Sequence, residues 1–119
     1  MYRFEDMSGG LQLFAVISEP LGDWNPPSDL TAKHVAFLLE LESRAVTVLS
    51  GPLGIDESGW PGSGLTVIRA ASLNEANRIM GDEPYAVAGV RQQSIRPWLV
   101  TSGALEVRLR LSDPPASFT

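Results

Sequence analysis

Cysteine is absent from this 119-residue chain, and histidine occurs once, at position 34. Without cysteine there are no disulfides, thiolate nucleophiles, iron–sulfur clusters or cysteine-rich zinc sites. With one histidine and no acidic residues clustered at ligand spacing, a metal site is not expected. Positive charge is also scarce: nine Lys and Arg stand against fourteen Asp and Glu, a net charge of −5 and a pI near 4.7. A folded nucleic-acid binder normally carries a basic stripe. Here the only basic density is Arg108 and Arg110, with Arg91 and Arg96 upstream, so no nucleic-acid partner is expected. Long apolar runs are missing too. Leu13 to Ile17 falls far short of the roughly 20 residues that span a bilayer. It follows Glu5 and Asp6 instead of a basic leader. The expectation is a soluble, cytoplasmic protein without a membrane partner.

What is present is a globular composition, 44% hydrophobic, in a chain long enough to bury one core without staples. Residues 1–10 mix charge and glycine and are expected to form a loose leader. A domain is expected over 11–100, followed by a strand and tail over 101–119. Leu11 to Ser18 reads as a strand ended by Glu19-Pro20-Leu21-Gly22. Ser28 or Asp29 then caps a helix to Arg44 whose apolar stripe is Leu30, Phe37, Leu38, Leu41 and Ala45. Ala45 to Ser50 reads as a second strand stopped by Gly51-Pro52-Leu53-Gly54, and Leu65 to Ala71 as a third. Ser72-Leu73-Asn74-Glu75 has the capping-box spacing and opens a helix to about Met80. Pro84 starts one further turn before Gly89. Gln93 to Thr101 is the fourth strand, in which Trp98 is a packing residue. Beyond it Leu105, Val107, Leu109 and Leu111 alternate with polar residues, which predicts an extra C-terminal strand.

This order is the β-α-β-β-α-β pattern of an α+β, ferredoxin-like fold with one added strand. Such a sheet has helices on one side, and a second copy of the chain is the usual cover for the other.

His34 lies on the apolar stripe of the first helix, one turn from Leu30 and one from Leu38. An unsatisfied buried polar group there costs roughly 1–3 kcal/mol. The ring is therefore either a tied-down core residue or part of a pocket wall. Gly59, Gly62 and Gly64 lead into a strand, whereas a nucleotide fingerprint needs a helix after its glycines. No serine sits in a nucleophile elbow. Trp60, in that glycine-rich loop, is either a lid over a cavity or a surface contact. Arg96 is a candidate for binding a substrate anion, or for a structural pair with an acid.

Several segments, in this order and spacing, resemble the YCII-related family. They are His34-Val35-Ala36-Phe37-Leu38, Gly51-Pro52-Leu53, Ser72-Leu73-Asn74-Glu75-Ala76, Glu83-Pro84-Tyr85, Ala88-Gly89-Val90 and Arg96-Pro97-Trp98. The resemblance runs from about Leu11 to Val100. It implies a subunit that pairs into a dimeric α+β barrel with a cavity between sheet and helices. It also implies a histidine–acid catalytic pair, mapping onto His34 and onto Glu83 where the family has Asp before Pro, with Asp82 as the alternative acid. Thr31 stands near the place of a basic residue common in the family.

Such a pair fits proton transfer, because an imidazole exchanges protons near neutral pH and a carboxylate fixes its tautomer. The resulting expectation is a small cofactor-independent enzyme acting on a cyclic or aromatic small molecule. What the resemblance implies is a lyase such as a dehydrohalogenase, or a lactone-type isomerase. Trp24, Trp60 and Tyr85 would shape its pocket. The alternative is a non-catalytic ligand-binding or accessory module of the same fold.

Overall fold

A computed structural model of the chain describes residues 10–106 and 109–111. The elements run β1 (Leu11–Pro20), α1 (Ser28–Ser43), β2 (Thr47–Leu53), β3 (Ser63–Ile68), α2 (Leu73–Met80), α3 (Pro84–Val87) and β4 (Arg91–Val100). The strands form one sheet in the order β2-β3-β1-β4, with every neighbouring pair antiparallel. This is the ferredoxin-like α+β architecture read from the element order.

Strand parity divides the sheet into two faces. Phe14, Val16 and Ser18 of β1 pair with Ile68, Thr66 and Gly64 of β3 and with Pro97, Ile95 and Gln93 of β4. Phe14, Val16 and Ile68 form the core with Leu41 of α1 and with Ala76 and Met80 of α2, so this face carries the helices. The opposite face shows Leu11, Leu13, Ala15 and Ile17 beside Leu65, Val67, Trp98 and Val100. No described helix covers it. Leu11, Leu49, Leu53 and Trp98 are each more than a third exposed, so Trp98, expected as packing, stands open on this face.

Four local expectations are corrected. The residue before α1 is Pro27, with no side-chain cap. Its carbonyl accepts the first helical bond, from the Thr31 N–H, while Ser28 begins the helix and Asp29 sits in its first turn. Ala45 is not a strand residue. It takes φ 56° past the end of α1, where the Val46 N–H reaches the Leu41 carbonyl, a left-handed closure of the helix end. The second strand runs through Gly51-Pro52-Leu53, because β2 is a sheet edge and a proline there loses no ladder bond it needs.

The C-terminal alternation is the fourth. Residues 101–106 and 109–111 contain no strand, and Val107 and Arg108 lie outside the described residues. Gly103, at φ 127°, turns the chain away from the line of β4. Leu105, Leu109 and Leu111 are all exposed, as a period-two pattern must be when no described strand pairs with it.

Other signals hold. The Ser72 hydroxyl accepts from the Glu75 N–H at 3.1 Å and Glu75 reaches back to the Ala71 N–H. The turn opened by Pro84 is present as α3. Among the described residues, no helix is long and apolar enough to cross a membrane.

Candidate functional site

Between α1 and the β2–β3 half of the sheet lies a cavity of about 770 Å³. The core explains why it is there. Leu41 is fully buried and Phe37 packs beside it at the C-terminal end of α1. Along the neighbouring face of the helix, from Thr31 through Leu38 to Ala45, the strand residues lining the space include Ser18, Gly64 and Thr66, too small to fill it. His34, Thr31 and Leu38 line this space.

Glu83 holds the ring of His34. His34 Nδ1 hydrogen-bonds to Glu83 Oε1, and the side chains are 15% and 2% exposed respectively. The carboxylate caps the first turn of α3 as well: the Tyr85 N–H donates to Oε1 at 3.2 Å and the Ala86 N–H to Oε2 at 3.0 Å. Burial is the largest single influence on Glu83 and favours its neutral form. The His34 hydrogen bond and charge, with the two backbone donors, outweigh it together and leave its pKa below the ordinary value. An ionised carboxylate only accepts. Nδ1 therefore carries the proton, and in the neutral ring Nε2 is the bare nitrogen.

The rest of the wall is aromatic. Tyr85 stacks on His34 at 4.2 Å with 24° between the planes, and its hydroxyl donates to Thr31 Oγ1 at 2.7 Å. Thr31 thus anchors the tyrosine. Trp24 meets Tyr85 edge-on at 4.8 Å and Trp60 at 5.6 Å. Trp60 lines the cavity, whereas Trp24 stands behind Tyr85 and is not in the lining. Gly62 makes room for it. Its φ is +103°, and a Cβ there would lie 2.3 Å from the Trp24 ring.

Of the other expected residues, Asp82 is exposed and lines a separate depression between α1 and α2. Arg96 pairs with Ala15 on the uncovered face of the sheet and does not line the cavity. The structure thus brings together His34, Glu83, Tyr85 and Trp60, with Trp24 behind them, and leaves Asp82 and Arg96 outside.

It adds Arg91, which the sequence marked only as part of its sparse basic density. Arg91 opens β4 opposite Pro20, on the helix-bearing face with Gln93 and Ile95, and is 6% exposed. Its guanidinium lies 4.9 Å from the ring centres of Trp24 and Tyr85 and 5.6 Å from that of Trp60. The signal available was parity: Arg91, Gln93 and Ile95 share a face, and the apolar member marks it as the inner one. Among the described residues, no group of three or more His, Cys, Asp and Glu is placed to hold a metal ion.

The model of the YCII-related domain matches residues 13–99, and the chain belongs to that family. Among solved structures it is similar to 5-chloro-2-hydroxyhydroquinone dehydrochlorinase (TftG) from Burkholderia phenoliruptrix AC1100, in complex with 2,5-dihydroxybenzoquinone. The TM-score is 0.54 at 22% identity, over 72% of this chain and 92% of that one, a likeness of fold. No curated protein sequence matches the chain.

Glu83 links the site to stability through pH. Its native pKa lies below the ordinary 4.5. The stability it contributes is complete above that value and is lost as pH falls through the native one. Glu83→Gln should lower stability at pH 7 by about 1–3 kcal/mol and flatten the loss of stability below pH 4.5. Urea midpoints across pH 3–7 check this; wild type and variant declining in parallel would contradict it.

Proposed function

We propose that the chain is a lyase acting on a hydroxylated six-membered ring, with His34 as general base and Glu83 as the residue that orients it. The observation carrying this reading is a histidine, held from behind by a buried carboxylate, in the wall of a cavity of about 770 Å³, the size range of small-molecule sites. The cavity wall, with Tyr85 and Trp60, suits a flat ring. The similar protein is named as a dehydrochlorinase of a chlorinated hydroxyhydroquinone, which supports elimination over isomerisation.

In such a step Nε2 of His34 takes a proton from a ring hydroxyl. The electron pair left on oxygen becomes a carbonyl bond while the displaced ring π pair takes up a proton at the carbon bearing the leaving group, which becomes tetrahedral. Loss of the proton of a second hydroxyl, meta to that carbon, then shifts the ring π electrons so that the leaving group departs with its bonding pair. The Glu83 carboxylate stabilises the imidazolium formed, and the proton then passes to solvent. Returning it to another ring carbon with no leaving group expelled would be isomerisation. The same residues serve both, and the substrate's leaving group decides.

We also propose that two copies pair through the uncovered sheet face. The exposure of Leu11, Leu49, Leu53 and Trp98 around the buried Leu13 and Val67 on this face supports this, since exposed apolar side chains gathered on one face mark an interaction surface.

Chlorinated hydroquinones supplied to the wild type should release chloride. His34→Gln should lower turnover by about 10²–10⁴-fold while the ring compound still binds. Binding without turnover by the wild type across the panel would favour the accessory-module reading instead. Sedimentation should give twice the 12.8 kDa chain mass for wild type, and the single mass for folded Trp98→Glu. A wild type that sediments as one chain would remove the dimer.

A further inference from the structure

Arg91 is a buried cation with most of its hydrogen-bonding capacity unspent. Of its five N–H donors, only Nε–H has a described acceptor, the Gly62 carbonyl at 2.8 Å. Among the described residues, no carboxylate lies within ion-pair distance of it. The rings of Trp24, Tyr85 and Trp60 hold the charge by cation–π attraction, but rings accept no strong hydrogen bond from the two Nη groups. Burial pushes the guanidinium below its ordinary pKa, against the pull of Glu83 and Tyr85, and it stays charged.

The Nη groups sit where a ligand would reach them. Arg91 and Gly64 both line the cavity, and a Cβ on Gly64 would come within 3.4 Å of Nη2 and 3.6 Å of Nη1. With hydrogen in that place, the fork has open space beside it. Tyr85 connects it to the reacting end, packing against the guanidinium and stacking on His34. A structural role for Arg91, as the peg on which the two tryptophans sit, accounts for the ring contacts and the Gly62 bond. It does not use the two Nη groups, which have no described protein acceptor and belong to a residue in the cavity lining.

We infer that Arg91 is the anion-binding group of this cavity, so that the ligand carries an anionic oxygen, as a phenolate, enolate or carboxylate, beside the His34–Glu83 pair. The planar fork matches a carboxylate or two neighbouring ring oxygens with paired N–H···O bonds. This rests on the ring-binding reading above and adds the substrate's charge to it. In the elimination, the guanidinium would hold one ring oxygen as the anion while His34 removes a proton elsewhere on the ring.

Benzoate and benzamide are nearly the same shape and differ in charge, so their dissociation constants isolate this term. Titration at pH 7, read by quenching of Trp24 and Trp60, should favour benzoate by about tenfold or more in the wild type. Arg91→Gln should erase the preference and Arg91→Lys restore part of it. His34→Gln should keep it while abolishing proton transfer, so the two readings fail separately. Because Arg91→Gln also unseats the tryptophans, the guanidinium resonances of the wild type give a second readout: benzoate should shift those of Arg91. Equal affinities in the wild type, a preference retained in Arg91→Gln or lost in His34→Gln, or shifts at Arg69 or Arg110 in place of Arg91 would each overturn the assignment.

Discussion

The Glu83 carboxylate is the constraint on which the site depends. One side chain closes the first turn of α3 through two backbone N–H groups and holds His34 on α1, forty-nine residues away in sequence. It can do both because Pro84 follows it: a proline in the first turn needs no partner for its missing N–H, and the next two amides point at the carboxylate. A carboxylate this buried is costly alone, and its three donors offset the cost. The same three bonds orient the imidazole, so the fold's stability and the site's geometry share one interaction.

The cavity follows from uneven filling beneath a single helix. Phe37 and Leu41 of α1 pack with Phe14, Val16 and Ile68, while Ser18, Gly64 and Thr66 line the space beside the neighbouring face, which carries His34 and Leu38. Small residues on the strands and a polar residue on the helix leave space where a core would otherwise close. Tyr85 and Trp60 then wall it with Trp24 behind them, and each is fixed by a second partner: Tyr85 by Thr31, Trp60 by the Ser63 carbonyl at 2.7 Å, Trp24 by its seat over Gly62.

Much of this was legible in the residues. Element order followed from hydrophobic period and capping chemistry, and His34 stood out because a polar ring interrupts an apolar stripe. What local pattern could not supply was pairing at a distance. Asp82 and Glu83 are equivalent in composition, and only the entry into α3 turns one inward and leaves the other in solvent. Arg96 and Arg91 are both arginines on β4, and strand parity already separates them onto opposite faces, but the rings gathered around Arg91 come from distant segments. Pro52 read as a stop because edge position is a property of the sheet and not of the strand. The leucines after residue 104 alternate as a strand would, but period two makes a strand only where a neighbour offers its backbone.

The central claim is that Glu83 holds His34 with its proton on Nδ1 and Nε2 free to act as a base. Because the chain has one histidine, the nitrogen resonances of its ring are unambiguous. Nitrogen-15 NMR of the neutral ring should give the Nδ1–H tautomer, with the Nδ1 proton protected from exchange, and Glu83→Gln should lose both that bias and the protection. An Nε2–H tautomer in the wild type, or a spectrum unchanged by Glu83→Gln, would contradict the account.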